Sequence, residues 1–150
     1  MTRAFVWATL VAGTLDILYA AIMSSIYGSG PAAMLRYVAS GPFPPATEMG
    51  LAGSILGLIV HFTLMAIMAA IFLYVVQGRP SLLSDPIQAG VLYGLATYVA
   101  MNWIVVPLRF DTPLPPRPTA IVSQLFAHIV LVGIPIALVA AKMARPRALA

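Results

Sequence analysis

The 150-residue chain has no cysteine, which excludes disulfides, thiol catalysis and cysteine-ligated metal and leaves the compartment open. Charge is nearly as scarce: Asp and Glu together number 4, His 2, and charged residues make up 8% of the chain. With 61% hydrophobic residues and a mean hydropathy of +0.99, there is too little polar surface to coat a water-soluble globule. Also missing are a nucleophile elbow, a phosphate loop, an HExxH sequence and a dinucleotide fingerprint. No soluble domain is left to house a conventional active site, so an enzyme is not expected. The net charge of +4 reads as membrane topology and contact with anionic lipid, with no case for nucleic acid.

What the chain does have is long apolar runs. Residues 5–27, 50–77, 86–108 and 119–143 are each long enough to cross a hydrocarbon core of roughly 30 Å at about 1.5 Å per helical residue. The expectation is an all-α polytopic membrane protein: one four-helix transmembrane domain over residues 1–150. Most prolines and nearly all charges fall between the runs, where water can satisfy the backbone. The opening MTRAFVWATLVAGTL resembles a signal peptide, but its apolar run continues past Asp16 to Tyr27 with no small-residue cleavage site, so it is expected to stay as the first span. Arg3, Arg79, Lys142, Arg145 and Arg147 share one side of the membrane, against Arg36, Arg109 and Arg117 on the other. The excess predicts both termini in the cytoplasm.

Two stretches recur. AGTLDILYA (12–20) aligns with AGVLYGLAT (89–97), and GLIVHFTL (57–64) with QLFAHIVL (124–131), which matches His61 to His128. The pattern predicts two tandem helical hairpins related by a pseudo-twofold axis along the membrane normal. The longer outer connection of the first hairpin contains a predicted short helix, from Pro31 to a stop at Gly41, lying at the membrane interface. The second outer loop, LRFDTPLPPRP, is predicted to be extended. Asp85, just before Pro86, is expected to cap the third span.

The spans are not uniformly apolar. Counted inward from their outer ends, Asp16, His61 and His128 fall at a depth of roughly 13–17 Å, with Asn102 and Gln124 at roughly 8 Å. Helical spacing puts Asp16 on one face with Thr9, Gly13, Ala20, Met23, Ser24 and Tyr27, and His61 with Gly50, Ser54, Gly57, Met65 and Met68. Gly53 with Gly57 and Gly90 with Gly94 make small-xxx-small faces, where spanning helices are expected to approach closely. A lone aspartate in hydrocarbon needs a partner or a proton, and the two histidines are the expected partners. The plain alternative is that these groups are interhelical hydrogen-bond glue, worth about 0.6 kcal/mol on average. Met23, Met65 and Met68 leave a soft-metal site open, and His61 with His128 leave axial haem ligation open. Cofactors are therefore unknown at this point. Arg36, Arg109 and Arg117 are expected to pair with Glu48 and Asp111.

AGVLYGLATYVAMNWIVVPL followed by SQLFAHIVLVGIPIALVAAKMARPR resembles the YagU-like family of small bacterial inner-membrane proteins over residues 89–147. The shared parts are the glycine-spaced third span ending in Pro107-Leu108, a proline-rich outer loop, and His128 early in the last span. Where the relative has a glutamate before that histidine this chain has Gln124, and where it has a histidine late in the third span this chain has Asn102. The resemblance implies inner-membrane residence and four spans. Three functions stay open: ion- or proton-linked transport or a channel centred on Asp16 and His61 with His128 assisting; a non-catalytic interaction or assembly protein; and haem or metal binding. Four short spans enclose little volume, so a homo-oligomer or a membrane-protein partner is expected.

Overall fold

A computed structural model describes residues 1–143. It is all-helical, with no strand among the described residues. Four helices are long and apolar enough to cross a membrane: α1 (Thr2–Ile26), α3 (Gly50–Gly78), α4 (Pro86–Phe110) and α5 (Pro118–Met143). The fifth, α2 (Pro31–Ser40), is short. The spans agree with the sequence expectation to within three residues at each end. The Asp85 carboxylate accepts the Gln88 N–H at 3.0 Å, so this residue does cap α4. The Tyr27–Gly30 corner ends α1. Gly28 adopts φ +83°, and the Gly28 and Ser29 amides donate to the carbonyls of Ser25 and Ser24, which turns the chain toward α2.

α1 packs on both α3 and α5, and α4 packs on α5. The buried apolar core lies toward the chain termini. There Ala4, Ala8 and Ala12, four residues apart and fully buried, let α1 approach Met65, Met68, Ala69 and Phe72 of α3 and Val132, Ile136 and Ala140 of α5. Small residues matter because lipid offers no hydrophobic drive to associate, and close van der Waals contact must supply the attraction. α4 joins this core through Tyr93, whose hydroxyl donates to the Met68 carbonyl at 2.6 Å and whose ring meets Phe72 at 5.0 Å.

The two glycine faces have different neighbours. At Gly94, an added Cβ would come within 2.6 Å of the Ile129 backbone, so this face holds two spanning helices together as expected. The Gly53 and Gly57 face instead receives α2. A Cβ on Gly57 would strike the Leu35 carbonyl, and the Ser54 hydroxyl donates to the Ala32 carbonyl at 3.1 Å. The short helix is thus laid against α3 in the position expected for a spanning helix. Its far end is held by Arg109, which donates to the Ser40 carbonyl at 2.8 Å and to the Gly41 carbonyl, while Tyr37 stacks on Phe110 at 4.5 Å. The expected pairing of Arg109 with a carboxylate is therefore incorrect. The last carbonyls of a helix lack intrahelical donors, and a guanidinium fork reaches two of them at once. Arg36 and Arg117 also form no ion pair with Glu48 or Asp111 among the described residues.

α4 and α5 are not regular throughout. Residues Ala100–Val105 and Ala127–Gly133 form wider π-helical turns. Each ends two residues before an intrahelical proline, Pro107 or Pro135. Proline gives no N–H to the ladder and its ring crowds the carbonyl four residues back, which a widened turn accommodates.

Candidate functional site

Asp16 and His61 face each other across the α1–α3 contact. His61 is 5% exposed, and its Nε2 lies 2.9 Å from the Gly13 carbonyl oxygen. A carbonyl only accepts, so Nε2 carries the proton and donates. The other nitrogen, Nδ1, lies 3.9 Å from Asp16 Oδ2. In a neutral ring that Nδ1 is a bare acceptor, and an ionised carboxylate is also only an acceptor. The contact is attractive only with a proton between them, either on Nδ1 facing a carboxylate or on Asp16 facing a neutral ring. At 3.9 Å the two groups stand at ion-pair distance with no hydrogen bond between them.

The Asp16 side chain retains 21% of its surface, and that surface faces a cleft of about 530 Å³ between α1 and α5. The cleft also takes in Tyr19, Ser123 and Gln124, with Arg117 at the end away from the chain termini. Tyr19 Oη and Ser123 Oγ bridge it at 2.9 Å. Two turns from Asp16 toward the N-terminus, Thr9 keeps a buried hydroxyl with no hydrogen-bond partner among the described residues.

His128 occupies a different setting. Three residues inward from the Tyr19–Ser123 contact, Asp16 is level with Phe126, and His128 lies two residues further, about 3 Å along the axis. The expected contact with Asp16 is not made, because His128 turns to α4. Its Nδ1 lies 3.1 Å from Thr97 Oγ1, its Nε2 lies 3.4 Å from Asn102 Nδ2, and Tyr98 meets the ring edge-on at 6.1 Å. Thr97 in turn donates to the Gly94 carbonyl at 3.0 Å. The chain of donors assigns Nδ1–H to Thr97 and leaves Nε2 to accept from Asn102. Both nitrogens are engaged by uncharged groups.

The five residues singled out in the sequence thus divide. Asp16, His61 and Gln124 belong to the α1 side, and His128 and Asn102 to the α4–α5 contact. Under the proposed repeat, His128 would sit opposite Gly90 as His61 sits opposite Gly13; it sits opposite Gly94 and Thr97, one turn along. Helical spacing alone does not reveal Arg117, Tyr19, Ser123 and Thr97 as site residues. Yet Arg117 lies two turns before Gln124 on the same face and Tyr19 one turn after Asp16, a signal that pairing α1 with α5 makes readable.

The cofactor alternatives do not fit this arrangement. Axial haem ligation needs a free nitrogen on each histidine, and both of His128's are bonded while His61 is held between Gly13 and Asp16. Met65 and Met68 lie in the dry core and Met23 in the cleft, so the three thioethers do not converge. Among the described residues, no three of His, Cys, Asp or Glu gather as a metal cluster would require. No family model, curated protein or solved structure matches this chain.

Proposed function

We propose that the chain is a small proton-linked transporter or channel of the bacterial inner membrane, built as two tandem hairpins with both termini in the cytoplasm. Asp16 is its proton-carrying group, and His61 is the residue that shares the proton. The observation that carries this reading is an aspartate within a spanning helix that meets a histidine nitrogen at 3.9 Å and also opens onto a 530 Å³ cleft lined in part by Tyr19, Ser123, Gln124 and Arg117. Ionisable groups at membrane depth are costly and recur on ion and proton pathways. A pair that holds one proton in either of two places, with one partner facing a cleft, has the parts of a relay. The protein does no covalent chemistry in this account. Kinship with YagU-like proteins and assembly into a homo-oligomer belong to the same proposal, the latter because four spans enclose little volume.

The test is proton flux into proteoliposomes carrying an internal pH dye, driven by an imposed membrane potential. Wild type is expected to conduct and Asp16→Asn to fall to the protein-free background with its helical content intact. Equal flux in both would remove the proposal. A second reading, an interaction or assembly protein, draws support from the His128 network, which ties α4 to α5 with no charged or exchangeable group. It predicts that Asp16→Asn changes oligomeric state or thermal stability and that wild type carries no flux.

A further inference from the structure

The cleft between α1 and α5 contains two opposite charges, and they lie at its two ends. Asp16 is the only carboxylate among the residues that line it, and Arg117 the only cation. The Arg117 guanidinium makes no hydrogen bond or ion pair among the described residues. Asp16 is level with Phe126, nine residues from Arg117, so the two Cα positions are separated along the axis by roughly 14 Å. The long Arg117 side chain, one of the groups lining the cleft, shortens the gap between charges. Between them lie Tyr19, Ser123 and Gln124, which offer hydroxyls and an amide, and the Met23 and Met34 thioethers, which offer a soft apolar wall.

A volume of about 530 Å³ falls in the range of small-molecule pockets and is far larger than a bare ion requires. A divalent cation is poorly matched, since a single carboxylate supplies neither its charge nor its oxygen count. We propose that the cleft binds a small elongated zwitterion, its ammonium end on Asp16 and its anionic end toward Arg117, and that the ammonium takes the place of the proton shared by Asp16 and His61. This rests on the proton-linked reading above and names the substrate class of the same site. The exchange balances: the ammonium arrives, the shared proton leaves to water from whichever partner holds it, and the pair is left as an Asp16 carboxylate and a neutral His61. His61 on α3 faces Asp16, and the other titratable groups of the cleft are Tyr19 on α1, Tyr27 just after it and Arg117 just before α5. Lowering the pH returns the proton to the pair and weakens ligand binding.

The experiment uses the detergent-purified full chain and three probes with similar chains: 6-aminohexanoate with both charges, hexylamine with the positive one, and hexanoate with the negative one. Calorimetry is expected to show 6-aminohexanoate binding about tenfold or more tighter than either singly charged probe, the difference one well-placed ion pair can supply. Binding should release protons, measured as a dependence of the heat on buffer ionisation. Arg117→Gln should reduce the advantage over hexylamine to within about twofold and Arg117→Lys should keep most of it, while Asp16→Asn should abolish binding of both amines. Hexylamine binding as tightly as 6-aminohexanoate, or binding without proton release, would overturn the proposal. If no probe binds while proteoliposomes still show Asp16-dependent flux, this inference fails and the transport reading stands. If the zwitterion binds with proton release but no flux is found, the site stands and the transport reading fails.

Discussion

His61 on α3 and His128 on α5 have opposite kinds of surroundings. His128 donates to a threonine and accepts from an asparagine, and both partners are neutral and end in ordinary acceptors on α4. His61 donates to a backbone carbonyl and turns its other nitrogen to a carboxylate. The first arrangement is closed, with every group satisfied in a single protonation state. The second leaves Nδ1 at ion-pair distance from a carboxylate that borders a cleft, and in our proposal the proton between them has two possible positions. Residue type does not separate the two settings; the acid–base character of both ring partners does.

Substitutions can break or sharpen this contrast. The largest effect is expected from exchanging each histidine for glutamine. His61→Gln should lower proton flux about tenfold or more while His128→Gln leaves it near wild type. Equal losses would mean that the two rings serve one pathway. Next in size is the contact that holds His128 in place: Gly94→Ala puts a Cβ 2.6 Å from the Ile129 backbone and should cost about 1–3 kcal/mol, read as a lower unfolding midpoint in detergent. Gly78→Ala, with nothing within 4 Å, is the control and should stay within about 0.5 kcal/mol. His128→Gln itself should cost about 1 kcal/mol, the scale of an interhelical polar network. A larger stability loss in His61→Gln than in His128→Gln would reverse the assignment of the structural role. The smallest effect is expected at Arg109→Gln, which removes the donors at the end of α2. It should speed hydrogen exchange in Met34–Ser40 while costing about 1 kcal/mol or less globally.

The contrast also shows what the sequence can convey. Hydropathy and length located all four spans, and Pro31, Gly41 and Asp85 marked the short helix and the α4 cap, because each of those signals is local. The inward direction of Asp16 followed from periodicity. Which neighbour each face meets did not, since a glycine face accepts any close-packing helix: Gly57 took α2 while Gly94 took α5. The sequence alignment paired His61 with His128, but their surroundings are displaced by one turn. The π-helical turns before Pro107 and Pro135 widen α4 and α5 and have no counterpart in α1 or α3. Proline inside an apolar run was the available sign of that irregularity. Arg117 was legible only as a loop charge until α1 and α5 were known to pack together.

The most direct measurement is the nitrogen NMR spectrum of both histidines in wild type and Asp16→Asn protein, at a pH where the rings are neutral. The account predicts opposite tautomers, Nε2–H for His61 and Nδ1–H for His128, and a change on Asp16→Asn confined to His61. The same tautomer in both rings, or a His61 spectrum unmoved by loss of the Asp16 carboxyl group, would contradict it.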